Sequence, residues 1–119
     1  MGSKTFSTTK VRVRDLPLLA DIGINPDEIG RRQPLVISVE LTLLSGPVSI
    51  IGETVDYRRI VSAAERIAEV HISLLEIFAH ALGEECVSWP SVVKACVSID
   101  KPFALMRGMA GVEVLVARE

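Results

Sequence analysis

The 119-residue chain is predicted to be an α+β domain, an antiparallel four-stranded sheet with two helices between its hairpins. Three observations predict it. Leu35, Ile37, Val39, Leu41 and Leu43 alternate with Val36, Ser38, Glu40 and Thr42, the period-two signature of a half-buried strand. From Asp56 the apolar residues move to helical spacing. From Val93, and again from Val112, the alternation returns.

Taken in order, Val11-Arg12-Val13-Arg14 alternates and then turns apolar up to Ile24, with Pro17 interrupting. This predicts a strand or a bent strand pair. Asn25-Pro26-Asp27 is turn chemistry. The strand over 35–43 follows and is ended by Ser45-Gly46-Pro47. Ile60, Ala64, Ile67, Ala68 and His71 then mark one helix face, with Asp56 as its expected N-cap. Ser73-Leu74-Leu75-Glu76 matches a capping box and predicts the start of a second helix. Leu75, Phe78, Ala79 and Leu82 give that helix its apolar face, and Gly83 and Trp89-Pro90 mark its weakening and end. Val93, Ala95, Val97 and Ile99 alternate with Lys94, Cys96, Ser98 and Asp100. Val112, Val114 and Val116 form the last strand, after a loop from Pro102 to Gly111. The expected division is a flexible arm over 1–10 and one domain over 11–119. Four strands in so small a unit leave edges unpaired, and pairing them between copies would remove them. Homo-oligomerisation is therefore expected on structural grounds.

Composition narrows the function classes. Half the chain is apolar and a quarter is charged, and a domain of this size buries a core without disulfides or metal. The net charge of -2, with basic residues no denser than the pairs Arg31-Arg32 and Arg58-Arg59, argues against a nucleic-acid partner. No apolar run is long enough to span a bilayer, and Met1 to Lys10 lacks the apolar core of a signal peptide. Cys86 and Cys96 do not make a disulfide framework and read as reduced thiols, which predicts a cytoplasmic setting. Metal is not expected, because His71 and His80 are nine residues apart and no second Cys or His stands at ligand spacing to either. Gly108-Met109-Ala110-Gly111 has neither the lysine nor the following helix of a phosphate loop, and no Gly-x-Ser-x-Gly elbow occurs. What remains for chemistry is one lysine after a strand, carboxylates at element ends and one tyrosine.

Four segments give these remainders a context: Ile22-Gly23-Ile24-Asn25-Pro26-Asp27-Glu28 with Gln33 following, Thr54-Val55-Asp56-Tyr57, Leu74-Leu75-Glu76, and Ile99-Asp100-Lys101-Pro102. In this order and spacing, from Val11 to Arg118, the chain resembles the dihydroneopterin aldolase family. The resemblance implies the tunnelling fold, in which subunits join their sheets into a ring-shaped barrel, as a tetrameric ring or a stacked octamer, with sites shared between subunits. It implies a cofactor-independent lyase of folate biosynthesis. The reaction would cleave 7,8-dihydroneopterin into 6-hydroxymethyl-7,8-dihydropterin and glycolaldehyde, the substrate's own ring imine accepting the electrons of the broken bond.

Residue by residue, the resemblance assigns Lys101 as general acid/base, Tyr57 as a tyrosine reaching in from a neighbouring subunit, and Glu28 as a glutamate near the substrate side chain. It assigns Glu76 as the pterin anchor, since a carboxylate offers two coplanar acceptors to a ring N–H and an amine side by side. Leu75 and Val55 would meet the pterin through their backbones. Other readings stand beside these. Glu76 is also the third residue of the capping box, Lys101 an exposed strand-end lysine, Tyr57 a half-buried aromatic, and Glu28 a solvated turn acid. Asp21-Ile22-Gly23 stands where some members carry Tyr-His-Gly, and Ser45 to Glu53 holds only one acid. Ile22-Gly23-Ile24, Arg32-Gln33 and Ile99-Asp100-Lys101 with Ala104-Leu105 also resemble the sister dihydroneopterin triphosphate epimerases, which share the first steps of the chemistry. A non-catalytic pterin-binding oligomer is the remaining alternative. Arg107 is a candidate contact to a phosphate, or a solvated loop arginine.

Overall fold

Alternating apolar residues do pair into one sheet. A computed structural model describes residues 4–119. Strands β1 (Lys10–Asp21) and β2 (Arg32–Leu43) form the first hairpin. A short 3₁₀ turn and helices α1 (Arg58–Ile67) and α2 (Leu75–Val87) lead to the second, β3 (Val92–Lys101) and β4 (Ala110–Ala117). The strand order is β1-β2-β3-β4 and every neighbouring pair is antiparallel, so β1 and β4 are the two edges.

The helices cover one face of the sheet, α2 over β3 and β4 and α1 against β1. That face carries the core: Leu35, Ile37, Val39 and Leu41 from β2, and Ala95, Val97 and Ile99 from β3. They meet Ile60, Ala63 and Ala64 of α1, and Phe78, Ala79, Leu82 and Cys86 of α2. Each large side chain buried here contributes about 1.5–3 kcal/mol, far above any surface ion pair. The placement of α2 is therefore fixed by its apolar face. The other face is polar, with Lys10 at 3.1 Å and Arg12 at 3.9 Å from Glu40.

Several local expectations are refined. The apolar run after Arg14 is one strand with a register break between Val13 and Leu16, where Asp15 has φ 55 and its N–H donates to Ser38 Oγ at 3.0 Å. Pro17 is tolerated because β1 is an edge. The first helix stops at Ile67, short of His71, because the next segment is captured by β1: Ile72 pairs with Ile22 in a parallel bridge. Asp56 does cap, its Oδ1 accepting Arg58 N–H at 3.0 Å, although the residue at the helix boundary is Tyr57. Ser73 does not cap. The cap position of α2 is Leu74 in extended backbone, with no side-chain hydrogen bond, so Glu76 is not engaged in a capping box. Gly83 does not interrupt α2, which runs on to Val87. It is buried mid-helix where α2 approaches β4, and an added Cβ would lie 2.7 Å from Val116 Cγ2.

The arm expected over 1–10 falls partly on residues outside the described range. Of the rest, the carbonyls of Ser7 and Thr9 accept the N–H groups of Gly46 and Leu43. Cys86 is buried and its thiol is pushed up to about 12 by that burial, which leaves it inert. No helix among the described residues is long and apolar enough to cross a membrane.

Candidate active site

Lys101 is the last residue of β3 and follows Ile99, Val97 and Ala95 in the core-facing phase of the strand. Its ammonium is therefore carried to the rim of the core, and it meets a carboxylate there. Lys101 Nζ donates to Glu28 Oε2 at 2.6 Å, with the two side chains only 15% and 13% exposed. An ion pair so withdrawn from water persists only if the remaining lone pairs are satisfied. They are. Gln33 Nε2 donates to the same Oε2 at 3.1 Å, while Asn25 Nδ2 and its backbone N–H donate to Oε1 at 2.9 and 3.3 Å. Together these donors, the Lys101 hydrogen bond foremost, lower the Glu28 carboxyl to about 2 against the opposing effect of burial. Glu28 is an anion across the neutral range.

The loop between β1 and β2 is built to deliver that carboxylate. Glu28 N–H donates to Asn25 C=O at 2.9 Å, closing the turn that the Asn-Pro-Asp signal predicted. Gly23 has φ +135, and any Cβ there would fall 2.4 Å from the Glu28 carboxylate. The glycine makes room for the acid. Gln33 also donates to Ile22 C=O at 2.8 Å, so one amide holds both the acid and the chain leading to it.

The other residues the sequence singled out lie at the sheet's edges. Tyr57 is 63% exposed and lines a cavity of about 500 Å³ with Val55, Thr54, Ile51 and, from edge strand β1, Val11. Val55 is buried, yet neither its N–H nor its C=O bonds to another described residue. The segment leading there is ordered by its lone acid: Glu53 Oε1 accepts Ser49 N–H, Ser49 Oγ and Ile50 N–H at 3.1 to 3.2 Å. Glu76 lines a second, mostly apolar cavity of about 460 Å³ with Ile77, His80, Ala81 and, from edge strand β4, Val114. It makes no hydrogen bond or ion pair to another described residue, and the N–H groups of Leu75 and Glu76 are likewise free at the N-terminus of α2. Within one chain the structure thus brings Lys101 and Glu28 together, and Tyr57 and Val55 together, with Glu76 and Leu75 at a separate edge. Arg107 lies in the exposed β3–β4 loop.

Sequence reasoning gave no role to Gln33, although a signal was present. It is a polar residue in phase with Leu35 and Ile37, on the core-facing side of β2. It also missed the contact of His71 Nδ1 with Asp21 Oδ1 at 2.7 Å, which joins residues fifty apart and has no local signature.

Comparison with known proteins agrees with this architecture. The family model for dihydroneopterin aldolase (FolB) matches residues 11–117. A curated dihydroneopterin triphosphate 2'-epimerase of Pseudomonas aeruginosa is 32% identical over 100 residues, 81% of each chain. Among solved structures, a Burkholderia dihydroneopterin aldolase bound to guanine superposes with TM-score 0.79 at 25% identity, covering 94% of this chain and 93% of that one. The Escherichia coli dihydroneopterin aldolase in complex with neopterin superposes with TM-score 0.75 at 19% identity, over 93% and 99%. A match to the family model over nearly the whole chain, joined to a relative above 30% identity and the same four-stranded, two-helix fold, places the protein in the dihydroneopterin aldolase family.

Proposed function

We propose that this protein breaks the side-chain carbon–carbon bond of 7,8-dihydroneopterin, releasing glycolaldehyde and 6-hydroxymethyl-7,8-dihydropterin, with Lys101 as its general acid/base. The observation that carries the reading is the withdrawn Lys101–Glu28 pair, whose carboxylate receives four hydrogen bonds. Its chemistry is proton movement. A base takes the proton of the hydroxyl on the carbon beyond the one attached to the ring. The bond between those carbons breaks, the hydroxyl carbon becomes the aldehyde of the fragment, and the electron pair enters the ring imine. Protonation of the side-chain carbon restores the imine. Lys101, through water, serves the ring nitrogen and the hydroxyls, and Glu28 holds the ammonium beside them.

Glu76, free of any capping duty, is the anchor for the pterin edge, with the N–H groups of Leu75 and Glu76 beside it. Val55 offers unengaged backbone groups and Tyr57 an exposed ring. The cavity at Tyr57 includes Val11 of β1 and the cavity at Glu76 includes Val114 of β4. Joining β1 of one copy to β4 of the next, in a tetrameric ring or an octamer of two rings, would bring the two half-sites together and remove both edges.

A second reading, epimerisation of dihydroneopterin or its triphosphate, is favoured by the epimerase from Pseudomonas aeruginosa. It uses the same bond cleavage and differs only in re-forming the bond. The test is anaerobic incubation with 7,8-dihydroneopterin, with Lys101→Ala in parallel. Glycolaldehyde and the hydroxymethyl pterin, lost in the variant, are the expected products. The side-chain epimer alone would select the second reading, and an unchanged pterin would overturn both.

A further inference from the structure

We propose that Asp21 and His71 form a positioning pair for the Lys101–Glu28 centre, locking the loop that carries Glu28 to the link that leads into Glu76. The proposal rests on the catalytic reading above.

The Asp21 carboxylate, at the end of β1, has two partners from different parts of the chain. His71 Nδ1 lies 2.7 Å from Oδ1, and Gly30 N–H donates at 3.0 Å to both oxygens. Gly30 is two residues after Glu28, at the far end of the same loop, with φ +83. The near end is tied by backbone: Ile72 N–H donates to Asp21 C=O at 3.0 Å and Gly23 N–H to Ile72 C=O at 3.2 Å. One carboxylate and one dipeptide, His71-Ile72, therefore fix both ends of the segment that presents Glu28. Four residues beyond Ile72 the chain reaches Glu76.

The pair is partly withdrawn from water. Its side chains are only 31% and 23% exposed. The His71 hydrogen bond, then the Gly30 amide and the nearby Arg32 charge, hold the Asp21 carboxyl below its ordinary range against the effect of burial. Arg32 itself reaches Ala68 C=O at 3.5 Å, so polar groups of β1, β2 and the α1–α2 link converge there.

The pair lies outside the apolar core that holds α2. Loosening it should therefore leave the ring anchor in place and disturb the centre that moves protons. The distinction is measurable, because loss of near-attack geometry lowers kcat while ring binding keeps KM.

In the full-length protein with 7,8-dihydroneopterin, His71→Ala should lower kcat about tenfold or more and leave KM within about twofold. The Gly30 amide should exchange with solvent faster than in the wild type. His71→Asn, whose amide nitrogen can occupy the place of Nδ1, should restore most of both. Unchanged Gly30 exchange in His71→Ala would overturn the proposal, as would faster exchange with wild-type kcat. So would failure of His71→Asn to recover kcat, because a donor at that position is what the proposal requires. A wild-type protein that turns over no dihydropterin would instead sink the catalytic reading, and Gly30 exchange would still decide whether the pair holds the loop.

Discussion

The loop-and-strand corner at Lys101 and the two sheet edges handle polar groups in opposite ways. At the corner every acceptor of Glu28 is matched by a donor of the same chain, from Asn25, Gln33 and Lys101. At the edges, the Glu76 carboxylate, the first N–H groups of α2 and the backbone of Val55 have no partner among the described residues. Groups that must hold a fixed mutual geometry are satisfied internally, where the fold can enforce it. Groups that would meet a ligand or another copy are left open, because satisfying them internally would compete with the ligand. Under the proposed function the corner would carry proton transfer and the edges recognition, and each half of that reading can be broken separately.

The largest effect is expected at the corner. Lys101→Ala should lower turnover by about 10²–10⁴-fold while pterin affinity stays near that of the wild type. Stopped-flow turnover and equilibrium binding check the two halves. Loss of binding with unchanged single-turnover chemistry would reverse the assignment. At the edges the pattern inverts. Glu76→Ala should weaken pterin binding about ten- to a hundredfold, the worth of a charge-assisted bidentate contact. Mixing Glu76→Ala chains with Tyr57→Ala chains, unfolded and refolded together, should return part of the activity neither has alone. In a mixed assembly some seams carry an intact Glu76 beside an intact Tyr57. No recovery in a mixed oligomer would break the shared-edge reading.

The same contrast explains what the sequence could and could not disclose. The strands were legible because Leu35 to Leu43 and Ala95 to Ile99 alternate cleanly against one buried face. The helices were legible because Ile60, Ala64, Phe78, Ala79 and Leu82 recur at helical spacing. Ser73 misled, because a capping box is a local pattern and the entry to α2 is set by a tertiary event, the capture of Ile72 by Ile22. Gly83 misled for a related reason: glycine in a helix reads as weakness unless a strand is known to press against it. Lys101 and Glu28 were each found through resemblance. Their contact spans 73 residues and no periodicity encodes it. The roles of the residues that complete it, Gln33 and the Asp21–His71 pair, became visible when the ends of β1, β2 and β3 met.

Acid separates the corner from the rest of the molecule by a different measurement. Glu28 titrates at about 2 in the folded state against 4.5 for the ordinary carboxyl. A depressed carboxyl contributes stability that is complete above its unfolded value and is lost as pH falls toward its folded value. Its contribution should therefore fade between pH 4.5 and about 2. Glu28→Gln removes that contribution. The difference in Tm between wild type and variant should be widest above pH 4.5 and should close as pH approaches 2. A constant difference across that window would mean that Glu28 holds its loop by shape and not by charge.

The smallest effect tests the edge at β4. In Gly83→Ala the added Cβ meets Val116 Cγ2 at 2.7 Å, and Val116 is β-branched and stiff at χ1. Overpacking of this kind costs about 1–3 kcal/mol, and the gain in helix propensity returns up to about 1 kcal/mol. With the full propensity gain the net loss is about 0–2 kcal/mol, a fall in Tm of up to roughly 10 °C. Relief of the clash moves β4 away from α2, and the cavity at Glu76 lies between Val114 of β4 and the first turns of α2. Pterin affinity should fall with the stability, while the Lys101–Glu28 contact, held by β1, β2 and β3, should keep its pH response. If the variant instead lost the acid-dependent Tm difference of Glu28, the corner and the β4 edge would be one mechanical unit and the division of labour between them would fail.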